Sequence, residues 1–421
     1  MAQTRIAELA TIISTQTAFV DQYLRSHGIS SPSFDAEYNE MTTIPKEIRV
    51  SKNAILEATE ELNSLIAGPV GYLTSLNTTI VPVLHAIYRW NLASSFPIEG
   101  EASFGDIATK VGVPENDIKR IIRMAKTHRI FREPRDGIVA HTSISKVIAT
   151  VPLLNSWLGL MTDEIFPAFT HMVDAIERWP DSQEPNETGY NLFTNQFDSY
   201  FDGMKNDTHR EKRFADVMTF FHAGGKWERA GLIEFYDWNS ATEGVVVELG
   251  GSQGAMCVDL ARHFPKMKCI SQDLPDVVAD VEVPKDLTDR VEILAHDFFT
   301  PQPVRDADVY LFRWIFHDWS DKYSVLILQN LIPALKHGAR IVIGEVCLPG
   351  PEDNVSHVLE RRMRGSDFTM KSCLNGRERS AKEWEQLFAS SDSRFKFKGV
   401  ATVPGSRYSV IEATWEGDSP A

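Results

Sequence analysis

The stretch from Val245 to Gly254 constrains this chain more than any other. Apolar and β-favouring residues from Val245 to Leu249 run without alternation into Gly250 and Gly251, and Gly254 follows three residues later. A strand buried on both faces reads as such a continuous run, and glycines at its end let a ligand approach bare backbone. A helix-like segment from Ala255 to Phe264 follows at once. The sequence before this stretch reads as helical, and the sequence after it alternates strand and helix.

Five strand expectations follow in order. Strand one ends at Gly250, strand two is 268–273, strand three 291–295, strand four 309–314 and strand five 340–346. Helices are expected over 322–335 and 381–389, and runs 395–403 and 407–415 form a hairpin joined at Pro404 and Gly405. The fold class is therefore α/β, a doubly wound, Rossmann-like sheet with a terminal antiparallel hairpin.

The first half carries helical spacing over 6–24 and 51–66, and an apolar helix from Val70 to Leu92 suits either core or a subunit interface. Residues 103–148 have the outline of a winged helix. Ser103 and Asp106 form a capping box, a second helix runs 115–127, and a two-stranded wing turns at Asp136 and Gly137. Lys119, Arg120, Arg123 and Lys126 on the second helix could read DNA or simply face solvent. Stretches 157–179 and 190–221, rich in aromatics and methionine, are expected as helices forming core or a pocket wall, with a loop at 180–189 between them. These readings divide the chain into 1–150, 151–240 and 241–421.

Composition narrows the function. A formal charge of −15 over 421 residues disfavours nucleic acid as a partner. Cys257, Cys269, Cys347 and Cys373 have no metal-ligand spacing, so no metal is expected and a reducing, cytoplasmic setting is. With no secretory h-region and no run long enough for a bilayer, no membrane partner is expected.

Ligands of such a sheet bind beyond the carboxyl ends of its strands. There the polar groups gather: Gly250 and Gly251 at strand one, Asp273 at strand two, Asp297 and Phe298 past strand three, His317 past strand four, Glu345 on strand five. Asp273 follows Gly250 by 23 positions, the distance at which an acid grips a ribose. The glycines spell G-G-x-x-G rather than the dinucleotide pattern, so a nicotinamide dinucleotide and an adenosyl ligand without pyrophosphate both stay open. His317 suits proton removal from a hydroxyl at neutral pH, with Glu345 or Glu378 holding its other nitrogen, and Asp318 is either its neighbour or a helix cap.

Six motifs in order carry a family resemblance: Glu-Leu-Gly-Gly-x-x-Gly from Glu248, Gln-Asp-Leu-Pro from Gln272, His-Asp-Phe-Phe from His296, Arg-Trp-Ile-Phe-His-Asp-Trp-Ser-Asp from Arg313, Gly-Glu-Val-Cys-Leu-Pro from Gly344, and Asn-Gly-Arg-Glu-Arg-Ser from Asn375. The chain resembles S-adenosylmethionine-dependent O-methyltransferases of the plant caffeate/flavonoid type, in their fungal secondary-metabolism branch. The resemblance implies an N-terminal helical and winged-helix dimerisation domain, S-adenosylmethionine as cofactor with S-adenosylhomocysteine as product, and a small-molecule acceptor, aromatic or alkaloid-like. It implies His317 as general base flanked by Glu345 and Glu378. Gly250, Gly251, Asp273, Asp297, Phe298, Arg313 and Trp314 stand at cofactor positions, and Phe214, Met218, Phe221, Met370 and Asn375 at the acceptor wall. Glu248 departs from the usual aspartate, Ser252 and Gln253 interrupt a richer glycine turn, and Phe221 replaces a residue often polar in plant members. Two rivals remain: a pericyclase or dehydratase that keeps S-adenosylmethionine on the same scaffold, and a winged-helix regulator.

Overall fold

A computed structural model describes residues 3–39, 44–76, 78–205, 207–224, 226–353, 355–403 and 408–418, the side chains of 222–228 and 240 excepted. The chain divides into two units: Met1–Phe166 with Thr208–Phe220 and Ser356–Val358, and Pro167–Asp207 with Phe221–Val355 and Leu359–Ala421. The span 151–240, read from sequence as one segment, is thus shared between both.

In the first unit, helices Arg5–Ser26 and Lys46–Ser75 pack together. The second bends at Gly68, whose φ of +68° precedes Pro69. The apolar helix expected from Val70 to Leu92 is broken: one helix ends at Ser75 and the next is Ile80–Arg89, with the polar Thr78 and Thr79 before it. Strands β1 (Glu101–Ser103), β2 (Phe131–Arg135) and β3 (Ile138–His141) form an antiparallel sheet in the order β1-β3-β2. Beside it lie helix Phe104–Val111, with the expected Ser103–Asp106 capping box, and helix Glu115–Thr127. Of the four cations on the latter, Arg123 bonds Glu133 and Asp136, and Lys126 bonds Glu133.

The helical run expected over 157–179 is interrupted by a π-turn, Met161–Ile165, which brings Asp163 and Glu164 onto Arg213. Arg210 also reaches Glu164, at 2.9 Å. These buried ion pairs fasten the first part of helix Thr208–Gly224 to the unit. The run expected over 190–221 is likewise three helices, Gly189–Thr194, Tyr200–Met204 and Thr208–Gly224. Asn195 breaks the first at φ +54°.

The second unit contains the large sheet. Its strands are β4 (Val245–Leu249), β5 (Lys268–Asp273), β6 (Val291–Ala295), β7 (Val309–Arg313), β8 (Arg340–Leu348), β9 (Arg379–Ser380), β10 (Phe395–Thr402) and β11 (Tyr408–Trp415), all but the two-residue β9, which was not expected, within a residue or two of expectation. Their order is β10-β11-β8-β7-β4-β5-β6, with the short β9 beside β8. β6, β5, β4, β7 and β8 run parallel and β11 and β10 antiparallel to their neighbours. The joint expected at Pro404 and Gly405 lies outside the described residues.

Alternation along β7 explains the layers. Tyr310 and Phe312 face a core with Leu328, Leu331, Trp384 and Phe388, whereas Val309 and Leu311 face one with Met256, Cys257 and Leu260. Both faces of β7 are covered, so this central strand carries no polar alternation. The strand order reverses at β4, between β5 and β7, and ligands of such sheets bind at that crevice.

Candidate active site

The turn after β4 is possible only with glycine. Gly250 has φ +71° and Gly254 φ +70°. A Cβ on Gly250 would strike the Ile315 side chain. On Gly251 it would strike Ser271 Oγ and lie 2.9 Å from Glu248 Oε2, and on Gly254 it would lie 2.6 Å from Ile293 Cδ1. The amides of Gly250 and Gly251 both donate to the Gln272 carbonyl, at 2.8 and 3.0 Å, which pins the turn to β5. Bare backbone held this way is a cradle, and it fits an adenosyl ligand.

Asp273, ending β5, accepts from Ser252 N and Leu274 N, each at 2.8 Å. Burial pushes its carboxyl up, against these two bonds. Each oxygen keeps a lone pair for a ribose hydroxyl. Asp297 accepts from Phe299 N at 2.9 Å and is otherwise exposed, and the His296 amide bonds the Asp273 carbonyl at 2.8 Å. Phe298 meets Phe299 and Trp319 edge-on, at 5.0 and 6.2 Å. Arg313 Nε lies 4.0 Å from the buried Glu248, whose pKa burial raises. Trp314, in the left-handed conformation at φ +55°, packs 5.3 Å from the His317 ring and 5.6 Å from Tyr408. Trp319, a residue of the same motif that sequence reasoning passed over, also meets Phe298.

His317 lies just past β7, in a short turn, Phe316–Asp318. Its Nδ1 is 3.0 Å from Glu378 Oε1, and its Nε2 is 3.5 Å from Asp318 Oδ1. Of the two carboxylates expected to hold the ring, Glu378 does so. Glu345 instead accepts the backbone amides of Ile315, Phe316 and His317, at 2.9, 2.5 and 3.3 Å, and so fixes the turn rather than the imidazole. Ser366 Oγ donates to Glu378 Oε1 at 2.7 Å. It comes from helix His357–Leu374, which the sequence reading missed: with Glu360, Arg361, Arg362 and Arg364 it shows no clean apolar stripe. Arg379, buried, bonds the carbonyls of Phe316 and Trp319 at 2.9 Å and clamps the turn from beneath.

Burial alone would lower the His317 pKa. The carboxylates of Glu378, Asp318 and Glu345 override it and push it up to about 10. Burial raises Asp318 to about 6 and Glu345 to about 7.

Met370 lies one helical turn from Ser366, half-buried. Asn375 is occupied otherwise: its amide donates to the Ser182 and Glu184 carbonyls, each at 3.0 Å, and its oxygen accepts from Lys371. It is a clasp on the 182–184 loop and leaves no amide hydrogen for an acceptor. Phe214 and Met218 are half-buried and belong to the first unit, while Phe221, 43% exposed, opens the part of that helix in the second. No group of three or more metal-ligating side chains occurs among the described residues.

A family model described as an O-methyltransferase domain matches residues 182–393. The O-methyltransferase kk1A of Curvularia clavata is 38% identical, with 99% of each chain covered. The chlorophenol O-methyltransferase of Trichoderma longibrachiatum is 35% identical over 99% of this chain and 91% of that one. Among solved structures, OxaC in complex with SAH and oxaline superposes with a TM-score of 0.72 at 21% identity, covering 97% of this chain and all of that one. LepI in complex with SAM does so with 0.69, at 21% identity and the same coverage. At that identity the two structures share the fold.

Proposed function

This chain belongs to the family of S-adenosylmethionine-dependent O-methyltransferases, and from that premise we propose that it methylates a hydroxyl of an aromatic or alkaloid-like small molecule, with His317 as general base. The observation that carries the assignment is the 3.0 Å contact between His317 Nδ1 and Glu378, placed beyond β7 beside the glycine cradle. When bound, S-adenosylmethionine supplies an electrophilic methyl group and leaves as S-adenosylhomocysteine. Gly250 and Gly251 would admit it, Asp273 would hold its ribose hydroxyls, and Asp297 and Phe298 would bound its adenine.

Glu378 takes the Nδ1 proton in a hydrogen bond, which fixes the tautomer and leaves Nε2 free to receive a proton. Nε2 would receive the proton of the acceptor hydroxyl, and Glu378 and Asp318 would stabilise the imidazolium that results. Glu345 and Arg379 hold the turn so that this geometry exists before the acceptor arrives. Alanine in place of His317 should abolish most turnover and leave cofactor affinity within about twofold, since the ring bonds none of the cradle. Unchanged turnover would end the base assignment.

One observation favours the rival chemistry. A histidine held at about 10 is cationic at neutral pH, as an electrostatic catalyst of a pericyclic or dehydration step would require. A product heavier by one CH2, formed with stoichiometric S-adenosylhomocysteine, supports methylation; an isomer or a dehydrated product with the cofactor unconsumed overturns it.

Residues 1–150 serve dimerisation in this proposal. Val50, Ile66, Val70 and Leu73 of helix Lys46–Ser75 are 60%, 66%, 74% and 68% exposed, large apolar side chains that a second copy could cover. A second copy of the chain is the occupant the family suggests. Two of the four cations of the winged-helix motif are neutralised by Glu133 and Asp136, which supports a scaffold role over DNA binding. Among the described residues no single helix is long and apolar enough to cross a membrane, and the four cysteines are free thiols, as a cytoplasmic enzyme would have.

A further inference from the structure

The two partners of the dyad come from segments 61 residues apart, and a third segment ties those two together. Helix Asp321–Leu331 follows the His317 turn, yet its N-cap residue, Ser320, makes no side-chain cap bond. The cap comes from far away in sequence: Gln183 Oε1 accepts from Lys322 N at 2.7 Å, and Ser320 Oγ donates to the Gln183 carbonyl at 2.8 Å. Glu184 next to it accepts from Lys322 Nζ at 2.6 Å and Tyr323 Oη at 2.8 Å. The other side of the same loop is held by Asn375, through Ser182 and Glu184.

Asn375 has φ +55°, a conformation asparagine tolerates, and the chain turns there into Gly376 and Arg377. Gly376 packs so closely on the His317 turn that a Cβ would strike the His317 carbonyl and lie 2.8 Å from that of Asp318. Arg377 N donates to the His317 carbonyl at 2.9 Å, and Glu378 comes next. A closed ring results: His317, Ser320 to Tyr323, Ser182 to Glu184, Asn375, Glu378, and back to His317.

We propose that Ser182–Glu184 is a strap that sets the separation of His317 from Glu378, with Gln183 and Asn375 as positioning residues at its two ends. The inference rests on the general-base reading above. A hydrogen-bonded charge pair is sensitive to sub-ångström displacement, so slack in the strap lengthens the Nδ1 to Oε1 contact and weakens the field on the imidazole.

The test is the pH profile of kcat for Asn375→Gly, which deletes the clasp while allowing the left-handed backbone, and for Gln183→Ala, which releases the opposite end. Both are expected to lower kcat by about tenfold or more and to move the ascending limb to lower pH, with the acceptor KM within about twofold. Gln183→Glu keeps an acceptor at the helix N-terminus and should restore the wild-type profile. In a Glu378→Gln background the strap variants should shift the limb no further, because the charge whose distance they set is already gone. A limb unmoved by the strap variants but moved by Glu378→Gln overturns the strap and spares the base. A limb that none of them moves overturns the base itself. An acceptor KM that rises with the limb in place would make Asn375 a pocket residue instead. Should Asn375→Gly fail to fold, Gln183→Ala and Ser320→Ala carry the same decision from the exposed end.

Discussion

Replacing Glu378 by glutamine removes a charge and little else. The side chain is fully buried, its Oε1 accepts from both His317 Nδ1 and Ser366 Oγ, and a glutamine carbonyl oxygen can accept from both. What disappears is the field. Two unit charges about 4 Å apart at an effective dielectric of about 20 interact by about 4 kcal/mol. At about 1.4 kcal/mol per pH unit, this corresponds to about three units. Burial subtracts from the rise of His317 to about 10 and Asp318 and Glu345 add to it, but Glu378 is the largest of the three carboxylate contributions. The sign is definite: His317 works as a base only when neutral, turnover rises with pH through its pKa, and losing Glu378 moves that limb down. The assay is kcat/KM for the acceptor across pH, with folding followed by circular dichroism at each point. The limb should fall by about two to three pH units, and the plateau above it by about a hundredfold, because the remaining base is weaker. A limb displaced by less than about half a unit, in a folded variant that binds cofactor normally, would refute the reasoning.

Asp273→Ala should weaken cofactor binding by about ten- to a hundredfold, through lost ribose bonds and the release of Ser252 and Leu274 amides; titration calorimetry would show it. Glu345 has a folded pKa raised to about 7 from 4.5, so the stability it contributes is fully present below 4.5 and is lost as pH rises through 7. Denaturant unfolding of Glu345→Gln at pH 5 and pH 8 should accordingly show a smaller fall with pH than wild type, and an equal or larger fall would count against it. Val70→Asp should convert a dimer to monomers in sedimentation velocity, and a wild-type monomer at micromolar concentration would remove the proposed interface.

Much of this was legible in the sequence because local physics decides it. Parallel strands covered on both faces must be continuous apolar runs, so β4 to β8 could be bounded within a residue or two. Turns that admit no Cβ must be glycine, so the cradle at Gly250 could be placed, and the polar residues at strand ends had to fall on one edge of the sheet. Helix breaks were harder. The interruptions after Ser75, at the π-turn and at Asn195 depend on what each face meets in space, and apolar spacing alone runs straight through them. Helix His357–Leu374 escaped for the opposite reason, its charge hiding the face that carries Ser366 and Met370.

Pairings between distant segments belong to the tertiary structure alone. Either Glu345 or Glu378 could have held the imidazole as far as the sequence tells; the path of the chain gave the ring to Glu378 and three backbone amides to Glu345. Trp314 and Trp319 share one motif, and the left-handed turn at Trp314 sends their rings to different partners. Asn375 became a clasp because a loop nearly two hundred residues away happens to pass it. Spacing along a chain records which groups lie near an edge, but hydrogen bonds are made across a few ångströms, and only folding brings those few ångströms about.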